Sequence, residues 1–235
     1  MENEAKPEEY EVPVEEEKIP KPVYYILNIF IALTFFGSFL SIAKGDFALG
    51  FVGLLFSSGL FWLLHKPEVL RREEVVERWG YLVEGAQGRV EEVFRDIGLF
   101  INETKATWIK ARRRKVSPSI FKGMLGESRD FLVATDRSNP RLSAYKVYIN
   151  VRDYGNNLDV SWYLTYKLGF LQSLLYSMTQ SKFEPSLNLF EEQDLRAYVT
   201  LVHHSTLKAL EKLMLSLDQD FSKVDRRSKG FLGVS

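Results

Sequence analysis

Cysteine is absent from all 235 residues of this chain, and so is net charge, because 31 basic and 31 acidic residues cancel. Without a thiol the chain forms no disulfide, no thiolate metal site and no cysteine nucleophile. A neutral chain has no global field that attracts nucleic acid or an anionic surface. Any charged partner must therefore be recognised by a local group of side chains.

Catalytic motifs are scarce as well. The sequence contains no Walker loop, dinucleotide fingerprint, HExxH helix or nucleophile elbow. Gly123 and Gly126 lack the Lys and hydroxyl residues of a phosphate loop. His203 and His204 are adjacent, so on a helix they diverge by about 100° and cannot readily chelate one metal together. We therefore predict no enzymatic activity, no cofactor and no metal.

Two long apolar runs, residues 23–42 and 47–64, are nearly free of charged side chains. Both reach the range of roughly 17–25 residues that crosses about 30 Å of hydrocarbon. They predict a membrane α-helical hairpin over residues 23–65, in which each backbone satisfies its own hydrogen bonds. Basic residues lie before the first run and after the second, with only Lys44 between the two. This distribution predicts an integral membrane protein with both termini cytoplasmic.

Small residues recur within the predicted hairpin. Gly53 and Ser57 form a small-xxx-small pair, which lets helix backbones approach closely. The pair can pack the two helices against each other or join copies of the chain. Neither run contains an internal Asp, Glu, Lys or Arg, which argues against transport by a monomer.

The segments on either side of the hairpin differ in character. Residues 1–22 are rich in Glu and Pro and predict a disordered acidic tail. Residues 66–116 predict a helical stalk, because apolar side chains recur there at alternating steps of three and four. The stripe favours packing within the domain or parallel self-association. Together with the small pair, the candidate self-association residues are Gly53, Ser57, Val76, Trp79, Val83, Val90, Val93 and Ile97.

A cytoplasmic α+β domain is predicted over residues 117–225. Apolar and polar residues alternate over 131–135, 143–152 and 158–166, which indicates a three-stranded antiparallel meander packed with long helices. A short helix is predicted at 168–178. Asn188 and Glu191 form a capping-box pair at the start of a long final helix. Residues 226–235 predict a flexible tail.

A basic segment precedes the predicted strands. Its candidate contacts for anionic lipid or nucleic acid are Lys105, Trp108, Lys110, Arg112, Arg113, Arg114, Lys115 and Lys122. Cations neutralise phosphates, and aromatic rings stack on bases or enter a headgroup layer. The alternatives are a solvated helix end, a complement to the helix dipole, or ion pairs with the acidic residues around Glu91, Glu92 and Asp96.

Together these features predict a non-enzymatic, membrane-anchored interaction or scaffolding protein. Its expected partners are the lipid bilayer, further copies of itself in a homo-oligomer and an unknown cytosolic protein. A first alternative is an oligomeric effector or pore that perturbs the membrane under control of the soluble domain. A second is a membrane tether for nucleic acid or anionic lipid through residues 110–115.

Overall fold

The computed structural model describes residues 21–65, 68–119, 127–139, 141–167 and 187–235. The chain divides into two compact units. Of the described residues, the hairpin unit comprises 21–65, 68–69, 116–119 and 127–128, and the sheet unit comprises 70–115, 129–139, 141–167 and 187–235. The predicted acidic tail lies outside the described residues except for its last two positions, which begin the first helix.

The hairpin unit contains two helices joined by a short turn, α1 over Lys21–Ala43 and α2 over Phe47–His65. In α1 the 19-residue stretch Tyr25–Ala43, with a mean hydropathy of 2.1, is long and apolar enough to cross a membrane. In α2 the apolar stretch Phe47–Phe61 is shorter. It rises only about 22 Å at 1.5 Å per residue, less than the hydrocarbon thickness. The prediction of two membrane spans was therefore wrong, because one described helix has the required length and composition.

The described residues form a sheet of seven strands, where three were predicted. Its strands are β1 (Glu68–Val69), β2 (Val75–Val83), β3 (Ile109–Ser117), β4 (Arg129–Asp136), β5 (Tyr145–Tyr154), β6 (Asn157–Tyr166) and β7 (Lys229–Gly230). They lie in the order β1-β3-β4-β5-β6-β2-β7, with β1 parallel to β3 and β2 antiparallel to both β6 and β7. The predicted meander, β4-β5-β6, is present, but the prediction that it forms the whole sheet was wrong. Strand β2 pairs with β6 along its length, and this long-range pairing has no local signature.

The helical stalk predicted over residues 66–116 is replaced by strands β2 and β3 with one helix between them, α3 over Val90–Glu103. The apolar stripe misled because positions four residues apart share a face in a helix and also in a strand. The spacing of Trp79 and Val83 fits both the helical period and the strand period. The described structure uses them as alternate inward residues of β2, where both are buried.

One face of the sheet packs against α3 and the long helix α4 over Leu189–Ser216. Helix α4 begins at the predicted capping box: Asn188 Oδ1 accepts from Glu191 N at 2.9 Å, and Glu191 Oε2 accepts from Asn188 N at 3.0 Å. The inward side chains of the sheet are fully buried and include Val83, Leu132, Ile149, Val160, Trp162 and Leu164. Burial of each such side chain contributes roughly 1.5–3 kcal/mol, which makes this layer the core of the sheet unit.

The C-terminal residues 226–235, for which we predicted a flexible tail, pack against the sheet. Leu232 and Val234 are buried, and β7 extends the sheet beside β2. The buried Glu77 carboxylate accepts hydrogen bonds from Leu232 N at 2.9 Å, from Val234 N at 3.3 Å and from Ser228 Oγ. The Glu77 carboxylate on β2 is therefore one of the contacts that hold the end of the chain in place. The helix predicted at 168–178 lies outside the described residues.

Candidate functional site

The predicted self-association residues lie inside a single copy of the chain. Val83, Val93 and Ile97 are fully buried in the sheet unit, Trp79 is 5 % exposed, and Val76 and Val90 are half-buried. They pack against the chain's own sheet and helix α4. The apolar stripe therefore packs within the domain, which was the alternative to parallel self-association.

Gly53 and Ser57 contribute to packing within the hairpin. A Cβ atom at Gly53 would collide with Ser38 Oγ on α1, so glycine permits the close approach of the two helices. Ser57 is fully buried, and its hydroxyl donates to Gly53 O at 2.7 Å. The small pair thus packs α2 against α1.

The predicted basic segment is divided by strand geometry. Most of it lies on β3, where successive side chains point to opposite faces. Lys105 lies in a turn with a positive φ of 57°, while Trp108, Lys110 and Lys115 are exposed. Arg112 and Arg114 are half-buried, and Lys122 lies outside the described residues. The eight candidates therefore do not form one cationic surface.

Arg113 is engaged by acidic neighbours. Its guanidinium donates to Glu91 Oε1 at 2.8 Å and to Asp130 Oδ2 at 3.2 Å, and it lies 4.8 Å from the ring centre of Phe94. The hydrogen bond to Arg113 lowers the pKa of the Glu91 carboxyl, and the same bond raises the pKa of Arg113. This is the ion-pairing alternative of the sequence prediction, and it uses the central arginine of the segment within the fold.

The other β3 cations lie along a sheet edge. Among the described residues, β1 pairs with Val116 and Ser117 alone, so most of β3 has no strand on that side. Charged side chains on an edge strand discourage pairing with other chains. Edge protection and the Arg113 ion pairs are two uses of these cations within the fold, and their contact with lipid or nucleic acid stays a prediction.

A group of cations that the sequence did not reveal lines a cavity of about 450 Å³ in the sheet unit. We call it the basic cavity, and its charged and aromatic lining residues are Arg71, Arg72, Glu77, Arg78, Tyr163 and Lys229. Arg78 and Tyr163 alternate along their strands with Trp79 and Trp162, which face the core. The cavity therefore lies on the sheet face opposite α3 and α4.

Three side chains of the basic cavity form a row across neighbouring strands. Arg78 on β2 lies directly opposite Lys229 on β7 and directly opposite Tyr163 on β6. Like charges at directly opposed positions destabilise a sheet by up to about 1 kcal/mol. Neither Arg78 nor Lys229 forms an ion pair with any described residue. Both side chains are exposed, so water weakens the repulsion between them.

A second cavity of about 330 Å³ shares the same row of three residues. It extends along the sheet over Gly80, where a Cβ atom would lie 3.0 Å from Ser161 Cβ. Two carboxylates line it, and both have other partners. Asp159 accepts from Asn150 Nδ2 at 2.9 Å, and Asp225 accepts from the backbone N–H of Arg227 at 3.0 Å.

His203 lies in the core rather than at a surface or boundary position. It is fully buried between Trp79 and Trp162, with ring centres 5.4 Å and 5.6 Å away. Burial lowers the pKa of its imidazole. Among the described residues there is no group of three or more His, Asp or Glu that could hold a metal ion.

Little in the sequence identifies the basic cavity in advance. Its cations come from segments on both sides of the meander, and lysine and arginine are common on any surface. The one usable signal is the alternation of β6, which assigns Tyr163 to the polar face together with Asp159 and Ser161. Strand order is needed to add Arg78 and Lys229.

Comparison of the chain with protein-family models, curated proteins and solved structures finds no match. What the protein binds must therefore be inferred from its own residues. The basic cavity and the apolar surface of the hairpin unit are two features of the described chain that its internal packing does not explain.

Proposed function

We propose that the protein is a non-enzymatic, membrane-anchored interaction module, in which the hairpin unit attaches the α+β sheet unit to a bilayer. The observation that carries this proposal is the apolar exposure of α1 and α2. Leu33 is 66 % exposed, Phe36 is 67 % exposed and Leu49 is 72 % exposed, and many of their neighbours are similar. Contiguous apolar surface of this kind is rare in contact with water. Lipid acyl chains cover it at no hydrophobic cost.

Polar side chains within the hairpin support the same proposal. Thr34 Oγ1 donates to Phe30 O at 2.9 Å, and Ser38 Oγ donates to Thr34 O at 2.6 Å. In hydrocarbon an unsatisfied hydroxyl is costly, and a bond to the preceding helical turn removes that cost. The hydroxyls of the hairpin are therefore compatible with a lipid environment.

The sheet unit is proposed to lie on the cytoplasmic side of the membrane. Arg71, Arg72 and Arg78 follow the hairpin unit closely in the chain, and positive charge beside a membrane-embedded segment favours the cytoplasm. On that side the basic cavity is accessible to soluble and lipid ligands. The sheet unit then acts as the part that binds.

Alkaline carbonate extraction of membranes from cells expressing the full chain tests the attachment. We expect the wild-type protein to remain with the membranes. Leu33→Lys places a charge in the middle of α1, at a cost of roughly 2.5–3.5 kcal/mol in the bilayer, and should release part of the protein. Leu215→Lys is the matched control, because Leu215 on α4 is also 64 % exposed but lies in the sheet unit. Complete extraction of the wild-type protein would refute the proposal.

A further inference from the structure

The basic cavity concentrates positive charge that the described structure leaves uncompensated. Arg71, Arg72, Arg78 and Lys229 line it together with a single carboxylate, that of Glu77. The Glu77 carboxylate is buried and accepts hydrogen bonds from the C-terminal segment, so it does not pair with these cations. None of the four cations forms an ion pair with a described residue. All four are exposed, so water solvates them in the free protein and an anion can reach each of them.

The geometry of the row specifies where that anion lies. Lys229, Arg78 and Tyr163 occupy directly opposed positions on β7, β2 and β6. Directly opposed side chains on one sheet face have Cβ atoms roughly 5 Å apart, so one small anion can bind both Arg78 and Lys229. An anion between Arg78 and Lys229 turns a repulsive pair into an attractive triplet. Tyr163 flanks the pair on β6, and its hydroxyl donates to Ser161 Oγ at 3.5 Å.

We infer that the basic cavity binds a phosphate group. A phosphate presents three or more oxygens and up to two negative charges, so it satisfies several cations where a carboxylate satisfies fewer. The planar guanidinium of Arg78 can donate two parallel N–H bonds, and the ammonium of Lys229 acts as a point charge. Arg71 and Arg72, both exposed, extend the positive field at the rim.

The remaining walls indicate that the phosphate is part of a larger molecule. Leu70, Val75 and Val76 line the same cavity, and its volume of about 450 Å³ exceeds the needs of a bare ion. Pockets for small molecules occupy roughly 300–1,000 Å³ and combine apolar walls with a few polar anchors. A phosphate ester with a carbon skeleton fits this combination.

The ester has two possible sources, a lipid headgroup and a soluble phosphate ester. Arg71 follows the last residue of α2, His65, by six positions in the chain. Membrane attachment would therefore keep the cavity within reach of headgroups. The inference deepens the proposed function by assigning a ligand class, but phosphate binding itself does not depend on attachment.

Titration of inorganic phosphate into the full chain in mild, phosphate-free detergent tests the site. Sodium chloride holds the ionic strength constant, so that general screening does not imitate binding. We expect saturable binding that Arg78→Gln and Lys229→Gln each weaken by about tenfold. Lys110→Gln removes one charge from an exposed position of β3 and should leave the affinity unchanged.

Nanodiscs separate the two sources. If the ligand is a lipid headgroup, inorganic phosphate should bind about tenfold more weakly to protein in nanodiscs containing phosphatidic acid than in nanodiscs of phosphatidylcholine alone. Equal affinity in both assigns the site to a soluble ester. Thermal melts of each variant confirm that it is folded.

An absence of phosphate binding by the wild type, or equal binding by the folded wild type and the Arg78→Gln/Lys229→Gln double variant, would overturn the inference. Carbonate extraction measures membrane attachment independently of phosphate binding. Failure of the phosphate site and failure of membrane attachment are therefore distinguishable.

Discussion

Trp162 Nε1 donates a hydrogen bond of 3.0 Å to His203 Nδ1 in the centre of the core. On the other side of the imidazole, His203 Nε2 lies 2.7 Å from the carbonyl oxygen of Arg226. A carbonyl only accepts, so Nε2 carries the proton and Nδ1 is the acceptor. The neutral ring therefore joins β6, α4 and the C-terminal segment. Protonation of His203 Nδ1 would place its N–H directly opposite the N–H of Trp162 Nε1, so the hydrogen bond between them would be lost.

Acid should destabilise the protein through His203. Burial lowers the pKa of this imidazole in the folded chain, whereas the unfolded chain has the ordinary pKa near 6.5. The stability that comes from the neutral His203 is therefore fully present above about pH 6.5. It is lost as the pH falls below that value, because the unfolded chain takes up a proton at this histidine before the folded chain does. Denaturant unfolding should show a free energy that falls by up to about 1.4 kcal/mol per pH unit from this group.

Two histidine variants isolate that contribution. His203→Gln should flatten the pH dependence near pH 6 and lower stability at neutral pH, since it disturbs the bonds to Trp162 and Arg226. His204→Gln changes the adjacent, exposed histidine and should retain the wild-type slope. A wild-type slope in His203→Gln would contradict the assignment.

Glu77 should control the order of the C-terminal segment. Glu77→Gln replaces a buried carboxylate that accepts from Ser228, Leu232 and Val234 with a neutral amide. Bonds to a charged acceptor contribute more than neutral ones, so the loss should be about 1–3 kcal/mol. Carboxypeptidase digestion should then remove the C-terminal residues faster. Glu73→Gln alters an exposed neighbour and should be digested at the wild-type rate. Equal digestion rates for the two variants would show that Glu77 does not hold the C-terminal segment in place.

Arg113 should stabilise the fold by a modest amount. Arg113→Gln removes the guanidinium from Glu91, Asp130 and Phe94. Because Glu91 is largely exposed, the expected decrease in unfolding free energy is only about 1 kcal/mol, and high salt should reduce it. Urea unfolding of Lys110→Gln provides the comparison, with a change within about 0.5 kcal/mol. A salt-independent decrease in Arg113→Gln would indicate packing against Phe94 as the main term.

Short-range sequence patterns predicted the elements that are determined by residues close together in the chain. Alternation along β5 and β6 and the Asn188–Glu191 capping box were read from neighbouring residues, and the structure has both. The same reasoning failed for β2, where Trp79 and Val83 fitted a helix period. Whether such a segment is a strand depends on its partner, β6, which lies far along the chain. No local pattern contains that information.

By itself the sequence determined the apolar character of α1, the meander of β4, β5 and β6, and the start of α4. These follow from hydrophobic periodicity and from bonds between residues three positions apart. Tertiary structure alone decided the seven-stranded order, the burial of His203 and the approach of Arg78 to Lys229. The physical reason is that sheet pairing joins backbone groups irrespective of side-chain identity. The neighbours of a charged residue are therefore set by the whole fold.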